Sequence, residues 1–334
     1  MSQIRYYHEP ELRDPVVIVA FGGWNDAADS ATTAIKFLIN AWAPQKIADI
    51  DSEDFYVFTE TRPNVKFVDG IQRTIVWPNG QFLAYRDPQL TRDVILFIGA
   101  EPQLKWKTYS RTFLEVCQHY HVSEIVFLGA LLADVPHSIT VPMTGTSSDT
   151  DIMERLNEME MRTSHYEGPT GMIGVLQEES LRINVSSASI WAAASHYLAA
   201  TPNIKVTAAL LTYLNQFLSL NLDLHEIQSD AVRFEEQVTA LVARDPEARE
   251  YVRKLEEQVA NADNPDFDDD DDDDAEDESP YSAGFDLDRP RHVTGPLPSA
   301  DSLIRDVEEL LRKQRENGSD DPNSTDDEDD NEEL

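Results

Sequence analysis

Apolar residues come first in short unbroken runs and later at helical spacing, and this change of pattern organises the chain. The run at 16–21, Val16-Val17-Ile18-Val19-Ala20-Phe21, ends in Gly22-Gly23-Trp24-Asn25-Asp26, after which Ala27, Ala28, Ala31, Ala34, Ile35, Leu38 and Ile39 recur on one helical side. A short uninterrupted run rich in β-branched residues fits a strand buried on both faces, as in parallel sheets, so strand, tight turn and helix are expected here. Runs at 94–100 and 124–132 repeat the signature, with a helix expected at 105–120 between them. A short strand at 46–50, a helix at 172–181, a strand at 184–191 and an apolar helix at 204–218 complete the set. The fold class is therefore α/β with a mostly parallel central sheet.

Between these units the pattern differs. Segments 72–77 and 81–85 flank Pro78-Asn79-Gly80, a turn signal that predicts a β-hairpin, with an aromatic patch around Trp77 and Phe82 as a candidate partner surface or as plain packing. Residues 141–149, rich in Thr, Ser, Gly and Pro, read as a loop, followed by a helix to about Met161. From 224 to 259 the period is helical with a break at Asp245-Pro246, which predicts two antiparallel helices with Val232, Val238, Leu241, Val242, Val252, Leu255 and Val259 on one side.

Charge changes the picture at the C-terminal end. Of the formal net charge of −36 in 334 residues, residues 263–334 hold 28 acidic and 6 basic groups, a net of −22, leaving −14 for the rest. The expected organisation is an α/β core at 1–220, a helical hairpin at 221–262, an acidic disordered linker at 263–298, an amphipathic helix at 299–316 and a disordered acidic tail at 317–334. In the amphipathic segment Leu303, Ile304, Val307, Leu310 and Leu311 share one side and need a surface to bury against. Such a charge repels nucleic-acid phosphates and anionic lipid, so neither nucleic acid nor membrane is an expected partner. Cys117 is the single cysteine, which excludes an intrachain disulfide and a cysteine-built zinc site. The first residues lack the apolar core of a signal peptide, and a cytoplasmic setting is expected.

Candidate chemistry gathers at strand ends. In open α/β sheets ligands bind outside the carboxyl ends of the strands, where Asn25, Asp26, Glu101, His137 and Glu167 fall. A histidine between carboxylates can act as general acid or base, which makes Asp26, Glu101 and His137 the catalytic candidates. Gly23, Trp24, Asn25, Asp26, Glu101, His137, Glu167, Gly168 and Thr170 are the candidate ligand-binding set. A bland reading stands beside it: Asp26 caps a helix, Glu101 holds a loop, Glu167 anchors its Gly-Pro turn and His137 is a hydrogen-bonded loop residue. The glycine turn has neither the G-x-G-x-x-G spacing nor a phosphate-loop lysine, and Asp26 and Asp29 repel a phosphate there. No G-x-S-x-G elbow and no H-E-x-x-H occurs, and no metal or cofactor is expected.

Five stretches together carry a resemblance: Gly23-Trp24-Asn25-Asp26-Ala27; Gly99-Ala100-Glu101-Pro102 with Trp106; Gly129-Ala130-Leu131-Leu132-Ala133-Asp134-Val135-Pro136-His137; Tyr166-Glu167-Gly168-Pro169-Thr170-Gly171; and Ser189-Ile190-Trp191 with His196-Tyr197. The chain resembles the proteasome assembly chaperone 2 family in its actinobacterial form, over most of residues 10–260 and the terminal helix. The resemblance implies a phosphorylase/hydrolase-like three-layer α/β fold, a homo-oligomer with a trimer preferred, and a protein-binding or assembly-chaperone-like role, which concerns 20S proteasome subunits in eukaryotes and archaea. A hydrolase or phosphorylase-like enzyme acting on a small molecule at the strand ends is the alternative. Family members that dock on the proteasome α-ring end in a hydrophobic residue, a tyrosine and one final residue. Here the sequence ends Asn331-Glu332-Glu333-Leu334, so docking through the tail is not implied.

Overall fold

The computed structural model describes residues 3–68, 72–199 and 202–262. The expected linker at 263–298, helix at 299–316 and tail at 317–334 lie outside the described residues. The strands are β1 (Ile4–Tyr6), β2 (Val16–Gly22), β3 (Gln45–Ile50), β4 (Asn64–Val68), β5 (Gln72–Val76), β6 (Gly80–Tyr85), β7 (Val94–Ala100), β8 (Glu124–Ala133), β9 (Met143–Ser147) and β10 (Ser186–Ser195). The helices are α1 (Ser30–Trp42), α2 (Trp106–His119), α3 (Thr150–Glu158), α4 (Met172–Arg182), α5 (Ile204–Leu218), α6 (His225–Val242) and α7 (Pro246–Ala262).

Eight strands form one mixed sheet in the order β1-β3-β6-β7-β2-β8-β10-β9. The four central strands β7, β2, β8 and β10 run parallel; β6, β3 and β1 on one side and β9 on the other add antiparallel. The unbroken apolar runs are the parallel strands, because each faces a core on both sides. In β2, Val16, Ile18 and Ala20 join one cluster with Ala31, Ala34, Ile35 and Leu38 of α1 and Leu210, Leu211 and Leu214 of α5. Val17, Val19 and Phe21 join the other, with Phe113 and Val116 of α2 and Met172, Ile173 and Leu176 of α4. Helix, sheet and helix thus make three layers, and β2, like its neighbours β7 and β8, gives alternate side chains to both cores.

Two expectations change. Segments 72–77 and 81–85 do not pair with each other: β5 pairs with β4, and β6 enters the main sheet between β3 and β7. Alternation decides this. Gly80, Phe82 and Ala84 turn into the core, whereas no residue of β5 is buried, so Pro78-Asn79-Gly80 divides a core strand from a surface ribbon. The supposed aromatic patch divides with it, Phe82 being wholly buried and Trp77 exposed against Phe58. The stretch read as a loop at 141–149 contains β9, an edge strand on β10, in which Thr146 and Ser189 join their hydroxyls at 2.8 Å. Short polar residues concealed it, since an edge strand needs no apolar run.

The helical pair forms as expected, and Asp245 Oδ1 accepts the Glu247 and Ala248 N–H groups at the start of α7. Ile227, Ala231, Phe234, Val238 and Val242 give α6 its inner stripe. Phe234, Val238 and Val242 meet Tyr251, Val252 and Leu255 of α7 and, from the core, Tyr197 and Leu198. Val232, expected on the inner side, is exposed.

Candidate functional site

The turn after β2 is built around Asp26. Gly23 adopts φ 126°, a conformation open to glycine, and residues Ala27–Asp29 make a 3-10 turn in which Ala28 and Asp29 are left-handed. Helix α1 therefore starts at Ser30, later than expected, yet Asp26 still caps it from a distance. Its Oδ1 accepts the Ala31 N–H at 2.6 Å and the Thr32 N–H at 3.2 Å, and Oδ2 accepts the Thr32 hydroxyl at 2.5 Å. Burial pushes the Asp26 carboxyl above its ordinary pKa, and the hydrogen bonds from Thr32 and Ala31 pull it back. The turn is also tied sideways, since the Ala130 N–H donates to the Asn25 carbonyl at 2.9 Å.

Glu101, just past β7, does for α4 what Asp26 does for α1. One oxygen, Oε1, accepts both the Asn25 side-chain amide and the Met172 N–H at 2.7 Å. Gly171 makes room: a Cβ there would come within 2.4 Å of the Asn25 amide. Two helices on opposite faces of the sheet are thus held at their N-termini by carboxylates from adjacent strand ends, which is where an anion would otherwise bind. Trp24 projects into solvent beside this cluster, and Glu167, Gly168 and Thr170 lie on an exposed loop where Tyr166 donates to the Pro169 carbonyl.

His137 belongs to another cluster. Its backbone N–H donates to the Tyr197 oxygen at 2.6 Å, and its Nδ1 lies 2.8 Å from the same oxygen. Nε2 lies 3.1 Å from Thr239 Oγ1 on α6, whose hydroxyl donates to the Glu235 carbonyl. This pattern fits a neutral ring protonated at Nε2. Burial, reinforced by the Lys205 charge and opposed by Glu235 and Glu256, brings its pKa down to about 4. Lys205 donates to the His137 and Ile139 carbonyls and pairs with Glu235 at 2.6 Å. A second link was not among the expected site residues. Asp134 meets His196 Nδ1 at 3.1 Å, and His196 Nε2 lies 2.8 Å from the Tyr251 hydroxyl of α7. The carboxylate–imidazole–phenol order resembles a catalytic relay, but Tyr251 is buried and burial raises its pKa, so the phenol is a latch rather than a nucleophile. Its signal was present in Asp134 and His196, each directly after a strand; the partner on α7 had none.

The candidates therefore separate. Asn25, Asp26, Glu101 and the α4 N-terminus come together after β2 and β7, while the hydrogen bonds of His137 go to Tyr197 and Thr239. Among the described residues no group of histidine, cysteine, aspartate and glutamate is arranged to hold a metal, and no helix is long and apolar enough to cross a membrane.

A family model described as the PAC2 family matches residues 20–242, from inside β2 to the end of α6. The chain belongs to the PAC2 family. Among solved structures, a PAC2 family protein from Streptomyces avermitilis is 38% identical, with 72% of this chain and 100% of that one covered and a TM-score of 0.66. A proteasome-assembly chaperone homologue from Mycobacterium tuberculosis is 36% identical, with 71% and 99% covered and a TM-score of 0.64. The Pyrococcus furiosus archaeal proteasome activator, 18% identical with 72% and 99% covered and a TM-score of 0.59, shares the fold. No curated protein matches the sequence. The PAC2 match runs through the Asn25–Glu101 and His137 clusters and the β4–β5 ribbon alike.

Proposed function

We propose that the protein works by binding another protein chain, as an assembly-chaperone-like factor. The observation that carries this reading is the β4–β5 ribbon. Val65, Phe67 and Ile75 share one face of the ribbon, with Val65 opposite Ile75, and are 48% to 63% exposed, while Trp77, directly after β5, is 46% exposed. Large apolar side chains grouped in this way on a surface mark an interaction site. The names of the Mycobacterium and Pyrococcus proteins point to proteasome subunits as the partner class. The expected result is co-elution of the full chain with isolated α-type 20S subunits in size-exclusion chromatography, weakened at least tenfold by Phe67→Asp with Ile75→Asp. No complex with the wild type, or an undiminished one with the variant, overturns the reading.

A homo-oligomer, with a trimer preferred, is proposed with it on the family likeness; light scattering that gives the mass of a monomer refutes that part. A cytoplasmic setting accords with a single cysteine, Cys117, that is buried and unpaired. The enzyme alternative has less support, because Asp26 and Glu101 hold helix N–H groups and His137 holds Tyr197 and Thr239.

A further inference from the structure

A strand whose outer side meets water carries a row of unpaired N–H and C=O groups, and a fold either blunts such an edge or uses it. The eight-stranded sheet blunts both of its edges. β1 is three residues long, and outside β9 the Gly145 N–H donates to the Arg162 carbonyl at 2.9 Å while the Arg162 N–H donates to the Met143 carbonyl at 3.2 Å. The ribbon has no such cover. β4 and β5 pair only with each other, and among the described residues no backbone group of 64–68 or 72–76 bonds to anything else. Alternate residues of each strand therefore turn free backbone donors and acceptors outward. All five residues of β4 are exposed, whereas Thr74 and Val76 of β5 are half-buried, so β4 holds the more open edge.

The side chains select what fits along it. Val65, Phe67 and Ile75 stand on one face with Arg73, and Val68 and Val76 stand on the other with Lys66. Neither Lys66 nor Arg73 has an ion-pair partner among the described residues. Residues 61–85 hold Arg62, Lys66 and Arg73 against Asp69 alone, a net of +2, within a stretch 1–262 whose net is −14. A second copy of the ribbon brings the same cations and no carboxylate from either strand, so like charge opposes edge-to-edge pairing of two copies. A two-stranded ribbon is marginal by itself, and a third strand that alternates apolar and acidic residues completes its hydrogen bonds and its charge together.

We propose that the protein partner enters through an extended segment that adds as a third strand to the outer edge of β4, with its apolar residues beside Val65 and Phe67 and its acidic residues beside Lys66 on the opposite face. This binding mode rests on the reading of the ribbon as the partner surface, and it names the chemistry of the bound segment. Main-chain hydrogen bonds supply affinity that is indifferent to sequence, and the alternation along β4 supplies the choice.

The test uses the full-length chain and a short labelled peptide that alternates valine with glutamate, followed by fluorescence anisotropy. Its comparators are the same peptide with lysine for glutamate and the glutamate peptide N-methylated at every backbone amide. The glutamate peptide should bind roughly tenfold more tightly than either. The chain's net charge of −36 favours the lysine peptide elsewhere on the surface, so a preference for glutamate singles out this edge. Lys66→Glu should reverse the preference between the two charged peptides. The bound glutamate peptide should also slow amide hydrogen exchange in β4 about fivefold and leave the eight-stranded sheet unchanged. No binding of the glutamate peptide, equal binding of its N-methylated form, an unaltered preference in Lys66→Glu, or unslowed exchange in β4 would each overturn the proposal. Co-elution with 20S subunits alongside equal binding of the N-methylated peptide keeps the ribbon as the partner surface and strikes strand addition. Peptide binding as expected without co-elution strikes the proteasome class of partner and keeps strand addition.

Discussion

The carboxyl ends of the central strands and the β4–β5 ribbon are opposites. At the strand ends, buried polar groups meet polar groups: Asp26 holds three donors of α1, Glu101 joins Asn25 to α4, and His137 and His196 bind the helical pair α6–α7 to the core. On the ribbon, apolar groups meet water. Clustered acids and a histidine where ligands usually bind are weak evidence of chemistry when helices also begin there, because every helix start presents free N–H groups that need acceptors. Exposed apolar side chains grouped on a surface, as on the ribbon, are the stronger mark of an interaction site.

The largest effect that tests this contrast is at Asp26. Asp26→Ala leaves two buried N–H groups and a hydroxyl without their acceptor, and should lower stability by about 2–3 kcal/mol in urea denaturation. Asp26→Asn, which keeps one acceptor oxygen, should recover more than half. A loss below about 0.5 kcal/mol in the alanine variant would mean that the carboxylate is not structural, which would reopen a ligand role.

Protonation supplies the next test. In the unfolded chain His137 titrates near its ordinary value of about 6.5, and in the folded protein near about 4, so the unfolded state binds the extra proton. Its contribution is complete above pH 6.5 and is lost as pH falls toward 4. Between pH 7 and pH 4.5 the wild type should lose on the order of 2 kcal/mol more than His137→Gln, the value being reduced for residual solvent screening. Asp26, whose pKa is raised, has the opposite sign: its unfavourable contribution grows as pH rises through the carboxylate range. Comparison of the two variants' pH profiles separates the residues. A profile unaltered by His137→Gln would remove His137 from the latch.

The smallest expected effect on stability is at the ribbon. Phe67→Ser with Ile75→Ser should change the denaturation midpoint by the equivalent of no more than about 0.5 kcal/mol, because neither side chain contributes to a buried cluster. A loss above about 2 kcal/mol would make the ribbon part of the folding core and cancel the contrast.

The chain by itself determined whatever rests on local period. Short unbroken β-branched runs fit strands with a core on each side, and Ala31, Ala34, Ile35 and Leu38 at helical spacing fit one buried face of a helix, so the α/β class, the parallel strands and helices α1 to α7 were legible. The capping capacity of Asp26 was legible too, since a short acid after a glycine turn has donors close at hand. Tertiary structure alone decided pairing and partnership. A turn at Pro78-Asn79-Gly80 says that the chain reverses, not which strands it then joins, and β5 and β6 parted because only β6 had an apolar alternation that the core could accept. Likewise His137 and Glu101 both follow strands, yet which acceptor or donor each meets depends on α6 and α4, which are 102 and 71 residues away in sequence at the bonded positions. Hydrogen bonds between residues so far apart leave no periodic trace in the chain, because their geometry exists only after the layers have packed.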